Sequence, residues 1–206
     1  MVQSYKKGYT MIKKTIFSLL LLWGFSSTVS ADMAAQRPDM NAQMAQMQKG
    51  MALLPFLTAP IESNEKLTSK DVELFLSTIQ KKDMHYADYS EKMEKGYEEA
   101  AAVLKKGVSF DTFVKKAIEL SGVQGVLDKD AKEIGYEDAL DLTLKTTRIV
   151  RAMMAIEMEK QIAKAPKEQQ AMMRNMMSGM MGVPKPEDLE VVKPYADQLK
   201  QIMKKQ

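Results

Sequence analysis

Methionine is the residue type whose number and spacing stand out, with 19 copies in a 206-residue chain that has no cysteine. Thioethers are soft ligands suited to Cu(I), and flexible methionine side chains also form apolar surfaces that accept varied partners. Six methionines fall within ten positions: Met172, Met173, Met176, Met177, Met180 and Met181. On a helix, side chains at these positions cover much of the circumference, which is more than a single buried face. The cluster predicts a surface that binds a protein partner or an apolar ligand, with Cu(I) binding as the alternative.

A second set of methionines has the spacing of a packed helix. Its members recur every three or four residues and share one helical stripe with a leucine: Met40, Met44, Met47, Met51 and Leu54. Methionine readily fills gaps between helices, so these side chains are expected to pack against the rest of the protein. Pro55 is expected to end this helix.

No catalytic or metal-binding pattern is complete in the sequence. The single histidine, His85, lacks the Glu-x-x-His spacing of helical di-iron sites, and one histidine cannot build a usual zinc site. Residues 128–130 begin like a calcium loop, but Glu133 occupies the position that requires glycine. Residues 63–66 match Ser-x-x-Lys without the companion motifs of that enzyme class. We therefore expect a protein that is not an enzyme and has no resident cofactor.

The N-terminus has the composition of an export signal. Residues 1–31 carry four lysines and no acidic residue, and an apolar run at 16–25 precedes small residues at 29–31. Cleavage there predicts a mature, periplasmic or secreted protein that begins at Asp32, with Met11 as a candidate true start. An uncleaved N-terminal anchor is the alternative. The mature chain contains no apolar run of the roughly 20 residues that a transmembrane helix needs.

Charge and cysteine content exclude several classes of function. The chain has 30 basic and 27 acidic residues, and removal of the four signal lysines leaves 26 against 27. A nearly neutral body with mixed charges gives no electrostatic reason to expect nucleic-acid binding. The lack of cysteine excludes disulfides, thiolate metal sites and a cysteine nucleophile.

The elements that would position the methionines begin with one long helix. Residues 136–165 contain neither glycine nor proline, and their apolar residues follow the 3.6-residue period of a helix with a broad buried side. The predicted face consists of Leu142, Ile149, Met153 and Ile156, flanked by Leu140, Leu144, Val150 and Met154. The shorter helices are expected to pack on it.

Capping signals divide the remainder of the chain. Thr68 and Asp71 have the spacing of a capping box, and Ser109 is a second expected N-cap. The stretch 68–106 is predicted to be helical, with or without a break in its middle. Residues 122–135 are predicted to form a loop with a helical turn.

No segment alternates with a two-residue period, so the predicted fold is all-α. We expect an irregular helical bundle of about five to seven helices after a cleaved signal peptide. Residues 32–206 are predicted to form a single domain with a loose methionine-rich segment at 167–186. The predicted function is binding of a protein partner or apolar ligand in the cell envelope.

Overall fold

Helices make up the regular structure of residues 40–80 and 89–205, the part of the chain that the computed structural model describes. The side chains of 40–47, 80, 176–181 and 203–205 are outside that description. The predicted all-α class is confirmed. The signal peptide, the mature N-terminus and His85 lie outside the described residues and stay predictions.

The helices follow one another through short connections. In chain order they are α1 (Met40–Leu57), α2 (Ser69–Gln80), α3 (Ser90–Val103), α4 (Phe110–Ser121), α5 (Gln124–Ile134), α6 (Ala139–Ile162), α7 (Lys167–Met181), α8 (Pro186–Val192), a 3₁₀ turn (Lys193–Tyr195) and α9 (Ala196–Lys205). Within the described residues, none of these helices has the length and apolar character needed to cross a membrane.

Two predicted N-caps are confirmed by their hydrogen bonds. The backbone N–H of Thr68 donates to Asp71 Oδ2 at 2.8 Å, and the N–H of Asp71 donates to Thr68 Oγ1 at 3.3 Å. This reciprocal pair is a capping box with aspartate in the place of the usual glutamate. Ser109 Oγ accepts the N–H of Thr112 at 3.3 Å and so begins α4.

Helix α6 is the central helix, as predicted, although it is shorter at both ends. Asp138 caps its start, so the helix does not include the two residues before that cap. Of the predicted face, Leu142, Ile149 and Met153 are buried, and Ile156 is half-buried. The helix is buried on nearly every side in its middle, because elements from both directions along the chain pack around it.

Two main apolar clusters meet along α6. The first joins the end of α1 to α3, α4, α5 and the start of α6, and its buried members include Leu53, Phe56, Leu57, Phe110, Phe113, Ile118 and Leu127. The second joins α2, α8 and α9 to the later part of α6 through Leu67, Val72, Phe75, Leu76, Ile149, Met153, Met154, Val192 and Leu199. The two halves of the fold therefore share one helix as a common wall.

Helix α1 differs from its prediction in both its end and its orientation. It continues past Pro55 to Leu57, because Phe56 and Leu57 are almost completely buried and this burial offsets the hydrogen bond that proline cannot donate. Met51 is 63 % exposed, so the expectation that it packs against the protein is wrong. Leu53 lies on the buried side instead. Periodicity locates an apolar stripe but does not show which stripe meets a partner.

One further segment differs from its prediction. Residues 124–134 form the complete helix α5 instead of a loop with a helical turn, because Leu127 and Ala131 are buried against the core. The stretch 68–106 is helical over α2 and α3, as predicted, and its middle, where the prediction allows a break, lies outside the described part of the chain.

Candidate functional site

Helix α7, which carries the predicted methionine cluster, folds back along the second half of α6. Pro166 stands between the two helices. Arg174 pairs with Glu159 across the hairpin, with Nε 3.2 Å from the carboxylate. Near the other end, a Cβ on Gly182 would lie 3.2 Å from Nη1 of Arg151. In both pairs, the two residues are equally far along the chain from the peptide bond after Pro166. This is the register of an antiparallel helical hairpin.

The structure places two of the six predicted methionines. Met172 is 67 % exposed, and its neighbour Met173 is half-buried. Val183, just past the end of α7, is also strongly exposed. We call the solvent side of α7 at Met172, together with Val183, the hairpin surface. The side chains of Met176, Met177, Met180 and Met181 lie outside the described residues, so their role stays a prediction.

The described polar contacts of α7 are at the surface. The side chains of Arg174 and Glu159 are each about half exposed, and exposed ion pairs of this kind add little stability. The hydrogen bond from Arg174 lowers the pKa of Glu159 below its ordinary value, so the pair is charged at neutral pH. Gln170 donates its side-chain amide to the carbonyl of Ala165 at 3.0 Å, which steadies the turn.

A buried arginine anchors the base of the hairpin. Arg151 donates to the backbone carbonyls of Leu57 and Ala59, the latter at 3.0 Å, and its guanidinium carbon lies 4.9 Å from the ring centroid of Phe110. Carbonyls at a helix end have no partner within the helix, and a cation suits the negative end of the helix dipole. Burial lowers the pKa of Arg151 to about 10, against the attraction of Asp111, so the side chain is still charged at neutral pH.

A second buried arginine lies one turn earlier on α6. Arg148 donates from Nε to Asp188 Oδ2 at 2.9 Å and from Nη2 to Asp188 Oδ1 at 2.5 Å. Its remaining terminal nitrogen donates to the carbonyl of Glu65 at 2.6 Å. This arrangement ties α6 to α8 and to the segment before α2. Sequence reasoning did not identify Arg148 or Arg151 as buried, because the groups that satisfy them lie far away in the chain.

Another charged feature is a cleft of about 180 Å³ beside Lys145. The Lys145 ammonium lies 3.0 Å from Glu65, 3.4 Å from Asp71 and 2.9 Å from Asp141. Burial is the largest single influence on this lysine and disfavours its charge. Hydrogen bonds and attraction from the carboxylates outweigh burial and raise the pKa of Lys145 above its ordinary value. A lysine held in its charged form is not activated as a nucleophile or base.

Neither the arrangement of possible metal ligands nor the comparison with known proteins points to a further site. In residues 40–80 and 89–205, no group of three or more histidine, aspartate or glutamate residues is arranged to hold a metal ion. No family model matches the chain, and neither the curated proteins nor the solved structures contain a match.

Proposed function

We propose that this chain is an exported, non-catalytic helical protein of the cell envelope that binds a protein partner through the hairpin surface. The observation that carries the proposal is that Met172 on α7 is 67 % exposed, whereas the adjacent Met173 is half-buried. Methionine is enriched in protein interfaces and adapts its shape to a partner. The export half of the proposal rests on the signal-like composition of residues 1–31.

The surroundings of the hairpin support a partner surface over an enclosed ligand site. The cleft beside Lys145 is lined mainly by charged side chains, whereas pockets for apolar ligands are lined mainly by apolar ones. Val183 extends the exposed apolar character beyond the end of α7. Arg148 and Arg151 tie α6 to the rest of the fold, and α7 packs along that helix.

Site-specific photocrosslinking tests the proposal. A benzophenone side chain at position 172 should give a discrete protein adduct in cells, because that position would lie within the interface. Position 51 provides the matched control, since Met51 is also a methionine, is 63 % exposed and lies on α1. Mass spectrometry of the adduct identifies the partner. The same adduct from both positions, or from neither, would contradict the proposal.

Serine substitutions at the same positions measure the energetic contribution. Met172→Ser combined with Val183→Ser should weaken binding of the identified partner by about tenfold or more, as expected when a central apolar contact is removed. Met51→Ser should leave binding unchanged. Loss of bound Cu(I) in the 172 variant, together with no adduct from the benzophenone at position 172, would favour the metal-binding alternative instead.

A further inference from the structure

The methionines with described side chains include two clearly exposed and two clearly buried residues. Met51 and Met172 are 63 % and 67 % exposed, whereas Met153 and Met154 are 6 % and 8 % exposed in the core. The sequence contains no cysteine, so a two-electron oxidant that reaches the protein's sulfur reacts with a thioether. Such an oxidant reaches an exposed thioether more readily than one packed in the core.

We propose that Met172 is a site of reversible oxidation by peroxides, and that this oxidation weakens partner binding at the hairpin surface. The second half rests on the proposed function. In the reaction, a lone pair of the sulfur attacks one oxygen of hydrogen peroxide, the O–O bond breaks and an S–O bond forms. The departing hydroxide takes the proton of the transferred hydroxyl and leaves as water. Methionine is oxidised by two electrons, and a thiol-dependent sulfoxide reductase can reverse the step.

The fold tolerates a sulfoxide at position 172. The new oxygen would point from an exposed position on α7 into water, where it is hydrated, so the helix keeps its packing. The same change at Met153 or Met154 would place a polar oxygen in the apolar cluster around α6. Oxidation at the exposed site can therefore change the surface without unfolding the protein.

Within an interface, in contrast to the exposed surface of the free protein, the sulfoxide is expected to be unfavourable. Its oxygen is a strong hydrogen-bond acceptor, and a partner shaped for an apolar thioether offers no donor at that point. We expect binding about tenfold weaker or worse, which corresponds to about 1.4 kcal/mol. Exposed apolar area at Met172 would thus act as a peroxide-sensitive contact.

The test uses purified protein with a benzophenone at position 183, which leaves Met172 intact. Hydrogen peroxide is added and then removed with catalase before the protein meets an envelope extract. Peptide mass mapping should show Met172 and Met51 oxidised well before Met153 and Met154, with an unchanged melting temperature. The yield of the 183 adduct should fall about tenfold after peroxide.

Leucine variants separate this site from the other methionines of α7. Met172→Leu keeps an apolar side chain and should give the adduct both before and after peroxide, whereas Met51→Leu should behave like wild type. Equal oxidation rates at Met172 and Met153 would overturn the proposal, as would a peroxide-sensitive adduct in Met172→Leu. Absence of any adduct from untreated protein would instead reject the proposed partner surface, while the mass map would still decide the oxidation site.

Discussion

Arg148 and Arg151 lie one turn apart on α6 and are equally buried, at 3 % exposure each, but the fold satisfies them by different means. Arg148 meets the carboxylate of Asp188 in a bidentate pair of hydrogen bonds. Arg151 meets two backbone carbonyls at the end of α1 and the face of Phe110. One buried cation is neutralised by an opposite charge, and the other is stabilised by dipoles and a ring.

The comparison shows two ways in which a buried arginine on one helix can be compensated for the loss of its hydration. At Arg148, two charges lose their hydration and compensate each other, so each depends on the other. At Arg151, the acceptors are the carbonyl of Leu57, at the end of α1, and that of Ala59, just past it, and buried carbonyls require a partner in any case. Burial lowers the pKa of Arg151 to about 10, as expected when a charge loses its hydration. The two sites should therefore respond differently when the arginine is removed.

Replacement of each arginine by methionine should produce the largest effects. Arg148→Met leaves the Asp188 carboxylate buried without its partner and should reduce the free energy of unfolding by about 3–5 kcal/mol. Arg151→Met leaves neutral carbonyls and should cost about 1–3 kcal/mol. Urea denaturation measures both values.

The double variant Arg148→Met with Asp188→Leu is the control for the first substitution. It removes both charges, so most of the lost stability should return. Equal losses for the two single variants would break the comparison and show that both arginines act only through packing of their side chains.

A glycine pair should sharpen the Arg151 side of the comparison. Gly122 and Gly182 both have φ of 68°, but Gly122 has ψ of 11°, in the left-handed helical region, whereas Gly182 has ψ of 160°, a conformation that is essentially restricted to glycine. Alanine at Gly122 should cost about 1–2 kcal/mol, and alanine at Gly182 should cost more from backbone strain alone. Around Gly122 the space is open, but a Cβ on Gly182 would lie 2.7 Å from the carbonyl oxygen of Thr58 and 3.2 Å from Arg151 Nη1. Gly182→Ala should therefore lower the melting temperature more than Gly122→Ala, through both the backbone strain and the close contacts. Equal shifts would show that neither the strain nor the contacts at Gly182 matter to the fold.

Acid titration extends the comparison to Lys145, one turn before Arg148. Burial is the largest influence on Asp71 and raises its pKa, but hydrogen bonds from Thr68 and the charge of Lys145 outweigh it and leave the pKa below 3.8. The charged form of Asp71 is therefore favoured by folding. Its contribution is present above about pH 4 and is lost as pH falls through the lowered folded-state pKa.

Asp71→Asn should accordingly make the fold less sensitive to acid. The fall in melting temperature between pH 6 and pH 3 should be smaller in the variant than in the wild type. This difference should be a smaller effect than the loss of stability caused by either arginine substitution. Asp197→Asn is a suitable control, because Asp197 pairs with Lys160 at an exposed surface. An identical acid response in Asp71→Asn and wild type would show that the Lys145 cluster does not favour charged Asp71.

The sequence by itself determined the features that depend on neighbours a few residues away. The capping box at Thr68 and the cap at Ser109 were predictable because each is completed by a residue three positions later. The helical period of α6 was readable from its own apolar spacing, which is why Leu142, Ile149 and Met153 were placed correctly in the core.

Tertiary structure alone decided the features whose partners are remote in the chain. Arg148 is satisfied by a carboxylate 40 residues away, and Arg151 by the carbonyl of Ala59, 92 residues away, so no local pattern marks either as buried. Met51 has the spacing of a packed residue but faces water, because the opposite side of α1 carries the larger apolar side chains. Spacing shows which side chains share a face, whereas burial depends on what the rest of the chain places against that face.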